Sequence, residues 1–130
     1  MNYVKCTLNT AEEGMYNITK QVKDAVKKSG VKDGICVVFC PHTTAAVVAS
    51  ENVDVDVKAD ILAAIAEVFP KKDGHLHYEG NAFAHIRSAF ARASVSLIID
   101  NGKLVFGDFQ GLYFMEFDGP RERHYYVKIV

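Results

Sequence analysis

A chain of 130 residues and 14.4 kDa has room for one domain with a single core, and it excludes a complete (β/α)8 barrel, which takes at least roughly 200 residues. Hydrophobic residues at 49% and charged residues at 24% sit near globular averages, which sets aside disorder, collagen and coiled coil. Fifteen Lys and Arg against sixteen Asp and Glu leave a net charge of -1, so a nucleic-acid partner is not expected, although a local basic site is compatible with that total.

Tyr3 to Leu8 alternates weakly and predicts an opening strand. Ile18, Val22, Ala25 and Val26 mark one face of a helix that closes at Gly30. Ile35 to Cys40 is a continuous apolar run, short enough for a strand buried on both faces, and Pro41 stops it before the polar triplet His42-Thr43-Thr44. After the apolar stretch Ala45 to Ala49 come the acidic residues Glu51, Asp54 and Asp56, then a helical period at Val57, Ile61, Ile65 and Val68 that ends at Pro70. Lys71 to Asn81 is the longest polar connection and the place to expect a functional loop. A short helix over about Ala82 to Arg92 follows, then a strand from Ser94 to Ile99. Asn101-Gly102 suits a type I′ turn, so Lys103 to Phe109 reads as the return strand of a hairpin. Leu112 to Phe117 and His124 to Val130 supply the last strands, with no linker or repeat to divide residues 1–130.

This order predicts a single α+β domain, with a mostly antiparallel or mixed sheet and helices on one face. Leu112 to Phe117 is apolar on both faces, so a subunit interface is expected to cover the face that helices leave open. No run approaches the roughly 20 apolar residues of a membrane span, and Met1 to Lys5 lacks the blocks of a signal peptide. The expected location is cytoplasmic, without a membrane partner. Cys6, Cys36 and Cys40 are an odd number at no metal or redox spacing, and Cys36 and Cys40 read as small core residues on one strand face.

Several groups have the residue types for chemistry. His42 lies past a buried strand, His77 in the polar loop and His85 early in the short helix; neutral imidazoles are zinc ligands, and three of them leave a position open for water or substrate. Their spacing matches no standard zinc pattern, so spacing alone favours separate hydrogen-bonded histidines over a metal site, while His75 and His124 read as surface residues. Glu51, Asp54, Asp56 and Asp60 can hold Mg2+ or supply a general base, or they can simply start a helix. Arg121 and Arg123 fall on one side of an extended backbone and suit a phosphate, or else they pair with Glu116 or Asp118. Gln110 stands between Gly107 and Gly111 in a ligand-contacting loop or a plain turn.

Five blocks together resemble the signature of the YjbQ-like family, also called the secondary thiamine-phosphate synthase family. They are His42-Thr43-Thr44-Ala45-Ala46, Glu51-Asn52-x-Asp54, His77-x-Glu79-Gly80-Asn81-Ala82-x-Ala84-His85-Ile86-Arg87, Gly107-x-x-Gln110-Gly111 and Glu116-Phe117-Asp118-Gly119-Pro120-Arg121-x-Arg123. The resemblance implies a homotrimer of α+β subunits with a site lined by His42, His77 and His85. It also implies an activity that joins hydroxymethylpyrimidine pyrophosphate to a thiazole phosphate. On these blocks His42, His77 and His85 are the expected metal ligands, for zinc or, with a pyrophosphate substrate, alongside Mg2+. Glu51, Asn81, Arg121 and Arg123 are the expected catalytic residues, and Thr43, Thr44, Asp54 and Gln110 the expected cofactor-binding ones. A metal-dependent hydrolase and a non-catalytic binder of metal or phosphometabolite are the competing functions. Phe109 stands where the family usually has Trp, and Ser50 and Val55 where it has Asn and Pro, which bears on substrate identity.

Overall fold

The computed structural model describes residues 2–130. In chain order the elements are β1 (Val4–Thr10), β2 (Gly14–Asn17), α1 (Thr19–Ser29), β3 (Asp33–Phe39), β4 (Ala45–Glu51), α2 (Val55–Val68), α3 (Ala82–Phe90), β5 (Ser94–Asp100), β6 (Lys103–Leu104), β7 (Gln110–Glu116) and β8 (Arg121–Ile129). The fold is α+β, as the element order predicts, but the strands form two antiparallel sheets instead of one. Five strands run in the order β1-β8-β3-β5-β6 and three in the order β2-β7-β4.

β7 explains the division. Leu112 and Phe114 point into a core shared with the large sheet, through Cys36, Val38, Val95, Ile99, Tyr125 and Val127, and with Val22 and Val26 of α1. Tyr113 and Met115 point the other way, into a second core with Met15, Ala46, Ala84 and Phe117, closed by half-buried Ile61, Leu62 and Ile65 of α2 and Phe83 of α3. The expectation that a subunit interface covers this second face is therefore corrected: two helices of the same chain cover it. A strand apolar on both faces needs a cover on each, and here the layers are sheet, sheet and helices.

α1 is pinned to β7 at its start, where the Ile18 N–H donates to the Leu112 carbonyl at 2.9 Å and the Leu112 N–H donates to Thr19 Oγ1 at 2.9 Å. The Asn101-Gly102 turn has φ of 51° and 77°, the left-handed pair that a type I′ hairpin requires and that glycine adopts without strain. The return strand β6 is only two residues long, because the chain leaves the sheet toward the turn at Gly107. β2 carries no signal in the sequence pattern, because its four residues are too few to show a period. Cys36 and Cys40 are buried core residues, and all three cysteines are free.

Phe114 is fully buried between the sheets. Phe114→Ala is expected to cost about 3–5 kcal/mol of stability, read from urea unfolding midpoints at constant m-value.

Candidate functional site

Glu116 ends β7 and Arg123 lies near the start of β8, so a carboxylate of the small sheet meets a guanidinium of the large one. Both are buried. Arg123 Nε donates to Glu116 Oε1 at 2.7 Å while Nη2 donates to Oε2, a bidentate charge-assisted pair. Thr10 Oγ1 donates to Oε1 at 2.6 Å, the Asp118 N–H donates to Oε2 at 3.0 Å, and Arg123 Nη2 also donates to Thr44 Oγ1 at 2.8 Å. Burial raises the Glu116 carboxyl, but the bonds from Arg123, Thr10 and the Asp118 amide, with the Arg123 charge, hold it below the ordinary glutamate value. Gly119 packs over the pair: a Cβ there would lie 3.0 Å from Glu116 Cγ and 3.1 Å from Thr10 Oγ1.

Arg121, two residues before Arg123, has its own carboxylate: Nε donates to the Asp118 carbonyl at 2.7 Å and Nη2 to Asp118 Oδ2 at 2.9 Å. The pairing reading of the two arginines is thus the one realised, with Glu116 and Asp118 as partners, and they do not form an uncompensated two-cation clamp. Asp118 Oδ2 also accepts from Asn81 Nδ2 at 2.8 Å. Burial raises the Asp118 carboxyl, and the bonds from Asn81 and Arg121 outweigh it and lower it. Asn81 precedes α3 without a side-chain cap bond, since its amide reaches across to Asp118, and its Oδ1 is buried with no partner.

Around these groups lies a polar cleft of about 320 Å3. His42, Thr43 and Thr44 line it from the turn between β3 and β4, Glu79, Asn81 and His85 from the polar loop and α3, and Asp118, Arg121 and Arg123 from the β7–β8 connection. The polar loop contributes Glu79 and Asn81 to this cleft. A larger hollow of about 500 Å3 between α1 and the β1 edge, lined by Tyr3, Val4, Cys6, Ala25 and Val127, contains none of the expected site residues.

The histidines are only partly brought together. His42 and His85 line the cleft. His77 does not line it; its ring meets the edge of His85 at 5.0 Å between centroids, and its Nε2 lies 3.9 Å from Glu79 Oε2. His42 Nε2 accepts the backbone N–H of His124 at 3.0 Å. Among the described residues no three His, Cys, Asp or Glu side chains converge closely enough to hold a metal ion. His42, His77 and His85 therefore do not fit a metal centre within one chain.

The acidic group lies elsewhere. Asp54 Oδ1 accepts the Asp56 N–H at 2.9 Å as the N-cap of α2, and the Glu51 carboxylate accepts the Asp54 N–H at 3.1 and 3.2 Å. Glu51 is at the far end of β4 from the cleft, six residues and roughly 20 Å of strand beyond Ala45. Gln110, its partner across the ladder, closes its own turn by accepting the Gly107 N–H at 2.8 Å. The helix-start and plain-turn readings hold for these residues, and Glu51, Asp54 and Gln110 do not reach this chain's cleft. His124, which the sequence places at the surface, is half-buried, and its contribution to the site is a backbone N–H, which carries no sequence signal.

A family model described as UPF0047 protein YjbQ-like matches residues 4–130. The chain belongs to the YjbQ/UPF0047 family. UPF0047 protein MJ1081 of Methanocaldococcus jannaschii is 45% identical over 118 residues, covering 91% of this chain and 86% of that protein. UPF0047 protein YugU of Bacillus subtilis is 42% identical over 122 residues, covering 93% and 92%. The crystal structure of an uncharacterized YjbQ/UPF0047 protein of Clostridium acetobutylicum superposes with a TM-score of 0.95 at 49% identity, covering 98% of this chain and 99% of that one. A YjbQ-like protein of unknown function from Sulfolobus solfataricus gives a TM-score of 0.93 at 37% identity, covering 98% and 94%. This UPF0047 chain thus shares its fold with those two solved structures. No helix of the described residues is long and apolar enough to cross a membrane.

Glu116→Gln leaves Arg123 buried without its counter-charge and is expected to cost about 3–5 kcal/mol. The folded carboxyl lies below its unfolded value, so its stabilisation is present above the unfolded value, roughly 4.3, and is lost as pH falls through the folded one. Urea midpoints taken from about pH 7 to about pH 3 should fall in acid for the wild type and fall less for E116Q; parallel curves would assign the acid loss to other carboxyls.

Proposed function

We propose that this protein is an enzyme acting on a small phosphorylated molecule, by a thiamine-phosphate-synthase-like transfer in which pyrophosphate leaves a pyrimidine methylene and a thiazole nitrogen takes its place. One C–O bond breaks, one C–N bond forms, and the electron pair of the broken bond leaves with pyrophosphate. Such a reaction asks the protein to bind an anion and to stabilise charge on its departing oxygen. The observation that carries the reading is the 320 Å3 cleft, in which His42, His85, Thr43 and Arg121 offer polar groups around one space. Arg121 is half-exposed and spends Nε and Nη2 on Asp118, which leaves Nη1 for a ligand oxygen. No hydrogen bond among the described residues occupies the His85 ring, so His85 is the imidazole able to give or take a proton at the reacting group. Asn81 Oδ1, oriented by the Nδ2 bond to Asp118, is the acceptor for a ligand N–H. The hydrolase alternative needs a metal hydroxide, and the histidine geometry gives it no support.

The active form is a trimer in this reading. The outer face of the five-stranded sheet supports it: Ile35 and Ile98 are paired across strands and 50% and 63% exposed, with Phe39 at 43%. Sedimentation at micromolar concentration should give three chains per particle, and Ile98→Glu should shift it toward monomer; a monomeric wild type overturns the trimer.

Purified protein given hydroxymethylpyrimidine pyrophosphate, thiazole phosphate and Mg2+ should form thiamine phosphate, and His85→Ala should lower that rate by about 10². Pyrophosphate binding without any coupled product would instead favour the non-catalytic binder.

A further inference from the structure

His42 Nε2 lies 3.0 Å from the backbone nitrogen of His124 on β8. A backbone amide can only donate, so this Nε2 must present its lone pair. A neutral imidazole has one lone pair and one N–H; with the lone pair at Nε2, the proton is on Nδ1. A doubly protonated ring would set a donor against a donor here. The surroundings agree: burial lowers the His42 pKa first, then the charges of Arg123 and His124, against smaller opposing effects of the His124 amide and Glu116. The ring is held in place by edge contacts with His124 at 4.7 Å and Phe114 at 6.3 Å between centroids. Metal ligation and general-base catalysis both need a free lone pair, and His42 has none while this bond stands. Its Nδ1–H is what it can offer to the cleft it lines.

We propose that His42 is a fixed hydrogen-bond donor, through Nδ1–H, to an anionic oxygen of the ligand, and is neither a metal ligand nor a general base. The ligand's charge rests on the proposed function above; the tautomer follows from the backbone geometry alone. The work of the two cleft imidazoles is then divided, with His42 donating and His85 exchanging protons.

Two-bond ¹H–¹⁵N correlations of the imidazoles in the wild-type protein read the tautomer directly. The expected pattern for His42 is Nδ1 protonated and Nε2 unprotonated, unchanged on addition of Zn2+. The opposite tautomer, or a zinc-induced shift at His42 Nε2 or Nδ1, overturns the proposal. Inorganic pyrophosphate should then shift the His42 Nδ1–H. In pyrophosphate titrations His42→Gln, which puts an acceptor near the Nε2 position and no donor at Nδ1, should weaken binding at least tenfold. His42→Asn, whose amide nitrogen falls near Nδ1, should weaken it less. Pyrophosphate that shifts Arg121 and His85 but leaves His42 untouched refutes the donor role while sparing the site. Pyrophosphate that shifts nothing in the cleft refutes the anion site and the donor role together.

Discussion

The Glu116–Arg123 pair is the joint on which the site depends. Each sheet could bury its apolar face against the other with some freedom to slide, because dispersion and burial are not directional. A bidentate ion pair is directional, and it links the last residue of β7 to the third of β8 across the gap between the sheets. Thr10 and Thr44 complete its hydrogen bonds, so β1 and the turn that carries His42 are tied to the same point. A buried pair of this kind is weak evidence of net stabilisation, since desolvation costs about as much as the attraction returns. Its effect is geometric: it fixes where the three segments of the cleft meet.

That joint also decides the electrostatics of the cleft. Two arginines two residues apart look, in the sequence, like a cationic clamp. In the fold each is neutralised by a carboxylate from the preceding segment, Arg123 by Glu116 and Arg121 by Asp118. The cleft is polar without being strongly charged, so an anion held there is held by directed donors. Directed donors discriminate by shape and position, whereas a bare cationic patch attracts any anion within a Debye length.

The sequence exposes most of the elements because each carries its own period. The α1 stripe at Ile18, Val22, Ala25 and Val26, the β3 apolar run and the Asn101-Gly102 turn are local signals with local causes. The second sheet is not local. That Leu112 to Phe117 needs two covers is visible in its residues, but that α2 and α3 supply one of them depends on where residues far earlier in the chain return in space. The site divides in the same way. Residue types and the family blocks together single out His42, Asn81, His85 and Arg121, which do gather at one cleft. They equally single out Glu51, Asp54 and Gln110, whose carboxylates and amide are absorbed by a helix start and a turn at the other end of β4.

What residue types could never have disclosed is the chemistry left to each side chain after its neighbours are counted. Histidine is the most ambiguous case, because the ring can be donor, acceptor, acid, base or ligand, and only its partners select among these. His42, His77 and His85 are alike in sequence. In the fold His77 rests against His85 and Glu79, His85 has no protein hydrogen bond to its ring among the described residues, and His42 faces a backbone amide that permits one tautomer. The selecting group is the main chain of His124, placed by the β8 register against β1 and β3. Strand register, a property of the whole sheet, thereby sets the protonation of one imidazole at its edge.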